Sequence, residues 1–153
     1  LLTRAAKGPR GWETVPLPTG YPMNFFGGSV TPECLYWTTK FMYERYKLPV
    51  VISENGVSCH DWVSLDGKVH DPNRIDYVAR HLLALRRAGD EGVKLAGYFL
   101  WSLLDNFEWS HGYKQRLGLI HVDYVTGRRT LKDSARWYGQ VIATNGASLG
   151  AEG

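Results

Sequence analysis

Leu48-Pro-Val-Val-Ile-Ser-Glu-Asn-Gly56 decides how this chain is read. Residues 49–53 read as a short buried strand, continuously apolar through Ile52, the pattern of a strand covered on both faces. Glu54 ends the run, and the Asn-Gly behind it lets the chain turn sharply. A carboxylate is thereby held at a strand tip. Glu-Asn-Gly alone is also an ordinary surface turn, so the motif gains its weight from a second stretch. Lys94-Leu-Ala-Gly-Tyr-Phe-Leu-Trp101 is another apolar run. The sequence that follows it, Trp101-Ser-Leu-Leu-Asp-Asn-Phe-Glu-Trp109, gathers Asp105, Asn106, Glu108 and Trp109 in one short loop.

The flanking segments alternate helix and strand. Thr31-Pro-Glu33 has the composition of a helix start, with Thr31 as N-cap, Pro32 at the first helical position and Glu33 in the first turn. This helix is expected to reach about Tyr46, with Leu35, Phe41 and Met42 as its apolar bulk. Residues 57–70 read as a polar loop turning at Asp66-Gly67. Asp71-Pro-Asn opens a second helix, on which Ile75, Val78, Ala79, Leu82 and Leu85 recur at helical spacing. Gly89 offers its stop. A short β pair is expected at residues 118–123 and around Arg129, followed by a last helix over 132–143 with Ala135, Tyr138, Val141 and Ile142 inward. Residues 1–30, punctuated by Pro9, Pro16, Pro18, Pro22 and several glycines, read as irregular. Residues 147–153 read as a loose tail.

This alternation is that of a parallel sheet covered by helices. Two long strands cannot close a barrel, which needs eight strands and typically ~250 residues. The expected fold class is α/β: a (β/α)8 TIM barrel of which residues 1–153 supply about the last two strands and their helices, as the C-terminal segment of a single catalytic domain. Much of the apolar surface is then expected to lie against chain outside these residues. Catalytic groups of such barrels sit at the C-terminal ends of strands, where Glu54 stands.

Composition narrows the function. Of 153 residues, 44% are hydrophobic and 22% charged, a globular balance. The formal net charge is only +3 and its 18 basic residues are scattered, so no nucleic-acid-binding stripe is read and no nucleic-acid partner is expected. No apolar run approaches the roughly 18 residues of a membrane span, and no membrane association is expected. Cys34 and Cys59 lie far apart and are not spaced as metal ligands. With no signal peptide opening the chain, a reduced, cytoplasmic protein is expected. No ligand-spaced His/Cys set appears, so neither metal nor cofactor is expected. The six Trp and nine Tyr supply core mass or platforms for flat ligands. Sugars combine flat apolar C–H faces with rims of hydroxyls. An aromatic plane stacks on the first, and a carboxylate accepts two hydrogen bonds from the second. Glu108 beside Trp109 is that combination. Asp105 and Asn106 are read as structural, orienting the loop or binding its backbone.

These residues resemble glycoside hydrolase family 1, the β-glucosidase family. Ile52-Ser-Glu-Asn-Gly56 is similar to the family's nucleophile motif. Gly97-Tyr-Phe-Leu-Trp-Ser-Leu-Leu-Asp-Asn-Phe-Glu-Trp109 is similar to its sugar-binding signature. Arg74-Ile-Asp-Tyr77 with His81-Leu82, Arg116-Leu-Gly-Leu-Ile-His-Val-Asp-Tyr124 and Lys132-Asp-Ser-Ala-Arg-Trp137 resemble the segments between and after. The resemblance runs from about Thr31 to Gly146. It implies a retaining exo-β-glycosidase acting on terminal β-linked glucose or a related sugar, in β-glucosides or short oligosaccharides. Glu54 is the implied nucleophile, Trp101 the stacking floor, and Glu108 with Trp109 the binders of the outer hydroxyls. The family's 6-phospho-specific members typically carry a small residue in place of Glu108, then Lys and Tyr where this chain has Gln115 and Leu117. A phosphorylated sugar is therefore not implied.

Three features depart from the family. No Thr-x-Asn-Glu-Pro-like acid/base motif occurs in these residues. Leu117 stands where many β-glucosidases have Phe. Phe25-Phe-Gly-Gly-Ser29 lacks a Trp expected before the Thr-Pro-Glu helix. The acid/base is thus expected outside this segment, on the remaining N-terminal part of the barrel, and the segment alone is expected to be inactive. Two other readings are a non-catalytic sugar-binding protein on the same fold and an isolated structural module. Exposed apolar strand edges argue against the module.

Overall fold

The computed structural model describes residues 3–5, 7–9 and 11–149. Its backbone runs β1 (Thr3–Ala5), β2 (Trp12–Thr14), α1 (Glu33–Tyr46), β3 (Val50–Asn55), α2 (Pro72–Asp90), β4 (Leu95–Leu100), β5 (Ile120–Val122), β6 (Arg129–Leu131) and α3 (Asp133–Ala143). Among the described residues, β3 and β4 are the strands that form a parallel pair, with Val51 opposite Gly97, Ile52 opposite Tyr98 and Asn55 opposite Leu100. The other two pairs, β1 with β2 and β5 with β6, are short antiparallel ribbons. The β1–β2 ribbon falls where the sequence reads as irregular. Three-residue strands are too short to show a period of two.

The helices pack on each other and on one face of the parallel pair. Tyr36 of α1, Ala88 of α2 and Val93 form the buried cluster, with Tyr43, Ala84 and Val50 against it. Charge reinforces the helix contact. Glu91 accepts from Tyr36 Oη and Lys40 Nζ, each at 2.5 Å, and from Arg87 Nε at 3.0 Å. These donors hold the Glu91 carboxyl at about 2, the Lys40 ammonium being the largest cause.

Several local expectations are corrected. The N-cap of α1 is Pro32, and the Thr31 hydroxyl donates to Ser29 Oγ at 3.0 Å. Phe41 and Met42 face outward while Leu35 and Tyr36 are buried. Gly89 lies inside α2. The helix stops one residue later, at Asp90, and Gly92 then takes φ +99° with its N–H donating to the Gly89 carbonyl at 2.9 Å. On α3, Ile142 is exposed and Ser134 is buried. Ser134 Oγ donates to Asp71 Oδ2 at 2.5 Å, which turns that side of the helix inward. Leu149 is buried beside Gly146, and residues 150–153 of the expected tail lie outside the described residues.

Within the described residues β3 and β4 are covered on one face only, in line with the expectation that much of the apolar surface lies against chain outside these residues. Val51 is 49% exposed and Phe99 62%. A methyl on Gly97 would touch both side chains, so the three share one face. Among the described residues no element packs on that face, and no strand pairs with the outer edge of either strand. A strand sequence written for two covers here has only one.

Candidate active site

Glu54 stands at the end of β3, where the ladder to β4 is still closing. Trp101 N–H donates to the Asn55 carbonyl at 2.9 Å, and Tyr98 Oη donates to Asn55 Oδ1 at 2.8 Å. Burial raises the Tyr98 phenol, which therefore stays a donor. Gly56 comes next, and a Cβ there would overlap the Trp101 carbonyl oxygen. Glycine is what lets the two strand tips approach this closely. The Glu54 side chain has no hydrogen bond or ion pair among the described residues, and it faces open space.

After β4 the chain leaves through a cis Trp101–Ser102 peptide. Ser102 anchors the loop by backbone bonds with Leu117 and Leu119, at 3.1 and 2.8 Å. Asn106 Nδ2 donates to Ser102 Oγ and to the Leu104 carbonyl, and Tyr124 Oη donates to the Asn106 carbonyl at 3.2 Å. Glu108 and Gly112 exchange backbone bonds at 2.8 and 2.6 Å. Gly112 takes φ +63°, closing a tight turn with Glu108 at its base. Trp109 caps this turn and is 90% exposed.

Glu54, Trp101, Glu108 and Trp109 line one open cleft of about 570 Å³, together with Asn106 and Phe107. A contiguous recess adds Phe26, Asn55, Gly56 and Leu117. All four residues singled out in the sequence therefore meet. The cleft joins two carboxylates to aromatic planes, the chemistry suited to a sugar's hydroxyls and apolar faces. Phe26 was not foreseen. It lies in the turn-rich segment before α1, edge-on to His111 at 4.9 Å, while Phe25 meets His60 at 3.7 Å. Two adjacent phenylalanines in a polar, glycine-rich stretch are the signal that could have found it.

Beneath the cleft lies a buried ionic network. Asp105 accepts from Lys132 Nζ at 2.8 Å, Arg116 Nη1 at 3.0 Å and Gly118 N–H at 2.9 Å. Lys132 Nζ also donates to Asp61 at 2.6 Å, and Arg74 Nη2 donates to Asp61 at 2.6 Å. Arg74 Nη1 donates to Asp71, which also receives Ser134 N–H at 2.9 Å. The side chains of Asp61, Asp71, Asp105, Arg74 and Lys132 have no exposed surface. Three carboxylates balance three cations, as buried charge requires. Asp105 is thus the loop-orienting residue expected from the sequence. Nearby, burial pushes the Cys59 thiol up to about 11.

Residues 20–147 match the model of Glycosyl hydrolase family 1. Beta-glucosidase A of Thermotoga maritima is 50% identical over 126 residues, which are 82% of this chain and 28% of that protein. The bifunctional beta-D-glucosidase/beta-D-fucosidase of Bifidobacterium breve is 44% identical over 150 residues, 95% of this chain and 33% of that protein. Among solved structures, the Thermotoga maritima beta-glucosidase in complex with glucoimidazole superposes with a TM-score of 0.85 at 44% identity, covering 94% of this chain and 32% of that one. The same enzyme in complex with deoxynojirimycin gives a TM-score of 0.84 at 46% identity, covering 91% and 32%. The chain therefore spans about a third of the length of the relatives it matches.

Proposed function

The chain belongs to glycosyl hydrolase family 1, and from this we propose that it is the C-terminal part of a (β/α)8-barrel β-glucosidase that releases terminal β-linked glucose or a related sugar with retention. In the complete barrel a carboxylic acid outside these residues protonates the glycosidic oxygen as a Glu54 oxygen attacks the anomeric carbon. The leaving alcohol departs and a glycosyl ester forms on Glu54. That same outside group, now a carboxylate, takes a proton from water. The water oxygen attacks the anomeric carbon, and the ester bond breaks to restore Glu54. Trp101 stacks under the sugar ring, Glu108 accepts from its outer hydroxyls, and Trp109 closes over the rim.

One observation carries the reading: Glu54, Trp101, Glu108 and Trp109 line a single cleft at the strand tips. The open face and edges of β3 and β4 are where further strands of the barrel would lie. The test is to expose the complete protein to an activated 2-fluoro-glucoside and map the adduct. A fluoroglycosyl ester on Glu54 is expected. A full-length protein that hydrolyses glucosides yet carries its adduct on another residue would reject the assignment of Glu54.

A further inference from the structure

The ionic network beneath the cleft has a geometry that packing alone does not require. Lys132 lies just before α3, far in sequence from either loop of the cleft. Its ammonium is fully buried and divides itself between Asp61 and Asp105. Asp61 belongs to the loop that leaves Glu54. Asp105 belongs to the loop that carries Glu108, and its two oxygens gather that loop's ends through Gly118 N–H and Arg116. The Lys132 backbone repeats the bridge. Its N–H donates to the Leu119 carbonyl, and the next N–H, of Asp133, donates to the Val69 carbonyl, both at 3.1 Å.

We propose that Lys132 is a positioning residue for sugar recognition, holding the loop behind Glu54 and the loop bearing Glu108 at a fixed separation. This inference rests on the glycosidase reading of the cleft. Net stability is a poor explanation for such a network, because buried ion pairs contribute little beyond what apolar side chains of the same volume would. Their directional bonds do fix one arrangement of the groups they join. Here those groups are two loops whose charged residues, Asp61 and Asp105, both bond the one ammonium. A shift of about 1 Å between groups that hold a substrate can cost on the order of a hundredfold in rate.

The test uses the complete protein with Lys132→Met, and Lys132→Met combined with Asp61→Asn. The double variant removes one cation and one anion, so the network stays neutral while the bridge is cut. Active sites are counted by 2-fluoro-glucoside labelling, and steady-state constants are measured on glucoside and galactoside. The expected result is a folded protein whose KM for glucoside rises by about ten- to a hundredfold, with kcat changed less and the preference between the two sugars reduced. Native KM and native preference per labelled site, with only a lower Tm, would overturn the proposal. Loss of folding in both variants would also overturn it, assigning the network to stability alone. An unmodified protein that neither hydrolyses glucosides nor takes the label defeats the glycosidase reading itself, and is thereby distinguishable.

Discussion

Three single residues carry separable expectations. Glu54→Gln in the complete protein removes the nucleophile but keeps the shape. Turnover should fall to near zero with an unchanged melting temperature, and retained turnover would reject the role. Glu108→Ala removes a hydroxyl acceptor, so transition-state binding should weaken by about 1.5–3 kcal/mol if one charge-assisted bond is lost. Measuring kcat/KM on glucoside and galactoside checks this, and identical values for variant and parent count against it. Gly56→Ala has a different signature. The added methyl meets the Trp101 carbonyl, which is backbone and cannot swing away. Destabilisation toward the upper end of ~1–3 kcal/mol is expected from overpacking, read as a lower denaturant midpoint with an altered Glu54 labelling rate. An alanine variant as stable as the parent would mean the strand tips can part without penalty.

Between elements, His70 makes a contact that responds to pH. Its Nδ1 lies 2.6 Å from Asp133 at the start of α3, and its Nε2 lies 3.0 Å from Asp66 in the preceding turn. Both nitrogens can donate only in the imidazolium form. Asp133, the larger cause, and Asp66 raise the His70 pKa above its usual 6.5. Arg136, 3.8 Å from Asp133, moderates that carboxylate. A raised folded pKa means the stabilisation is complete below the unfolded value and is lost as pH rises through the folded one. Urea midpoints of the complete protein should therefore decline as pH rises from about 6.5, and His70→Gln should flatten that decline; an identical slope in the variant would exclude His70 as its source. This clamp was not legible in the sequence, because nothing in the spacing of Asp66, His70 and Asp133 announces that they meet. The same holds for the meeting of Asp61, Asp105 and Lys132, which lie in three separate segments of the chain. The regular elements were legible because periodicity and punctuation are local. Glu54 and Trp101 were legible as ends of apolar runs, and Glu108 and Trp109 as members of the short loop that follows the second run; the four line one cleft. The open strand face was legible too, since an apolar run reports what a strand is built to meet and two strands alone cannot supply it.

At the scale of the whole molecule, the described residues leave a parallel strand pair open on one face and both edges. Unpaired strand edges beside exposed Val51, Phe99 and Leu103 invite pairing with other chains. Residues 1–153 expressed alone should therefore self-associate in sedimentation velocity at micromolar concentration. A dispersed, stable monomer would contradict the view that further strands complete this sheet. The buried network also imposes an order of events during synthesis. Asp61 and Asp105 emerge from the ribosome well before Lys132, and until it arrives Asp61, Asp71 and Asp105 share only Arg74 and Arg116, one cation short of the balance that buried charge requires. The cleft loops must then stay hydrated and unlocked while the chain is being made. Lys132 acts as a late latch: a chain stalled before it should remain open to proteases at residues 57–70 and 102–118, and one extended past α3 should become resistant there.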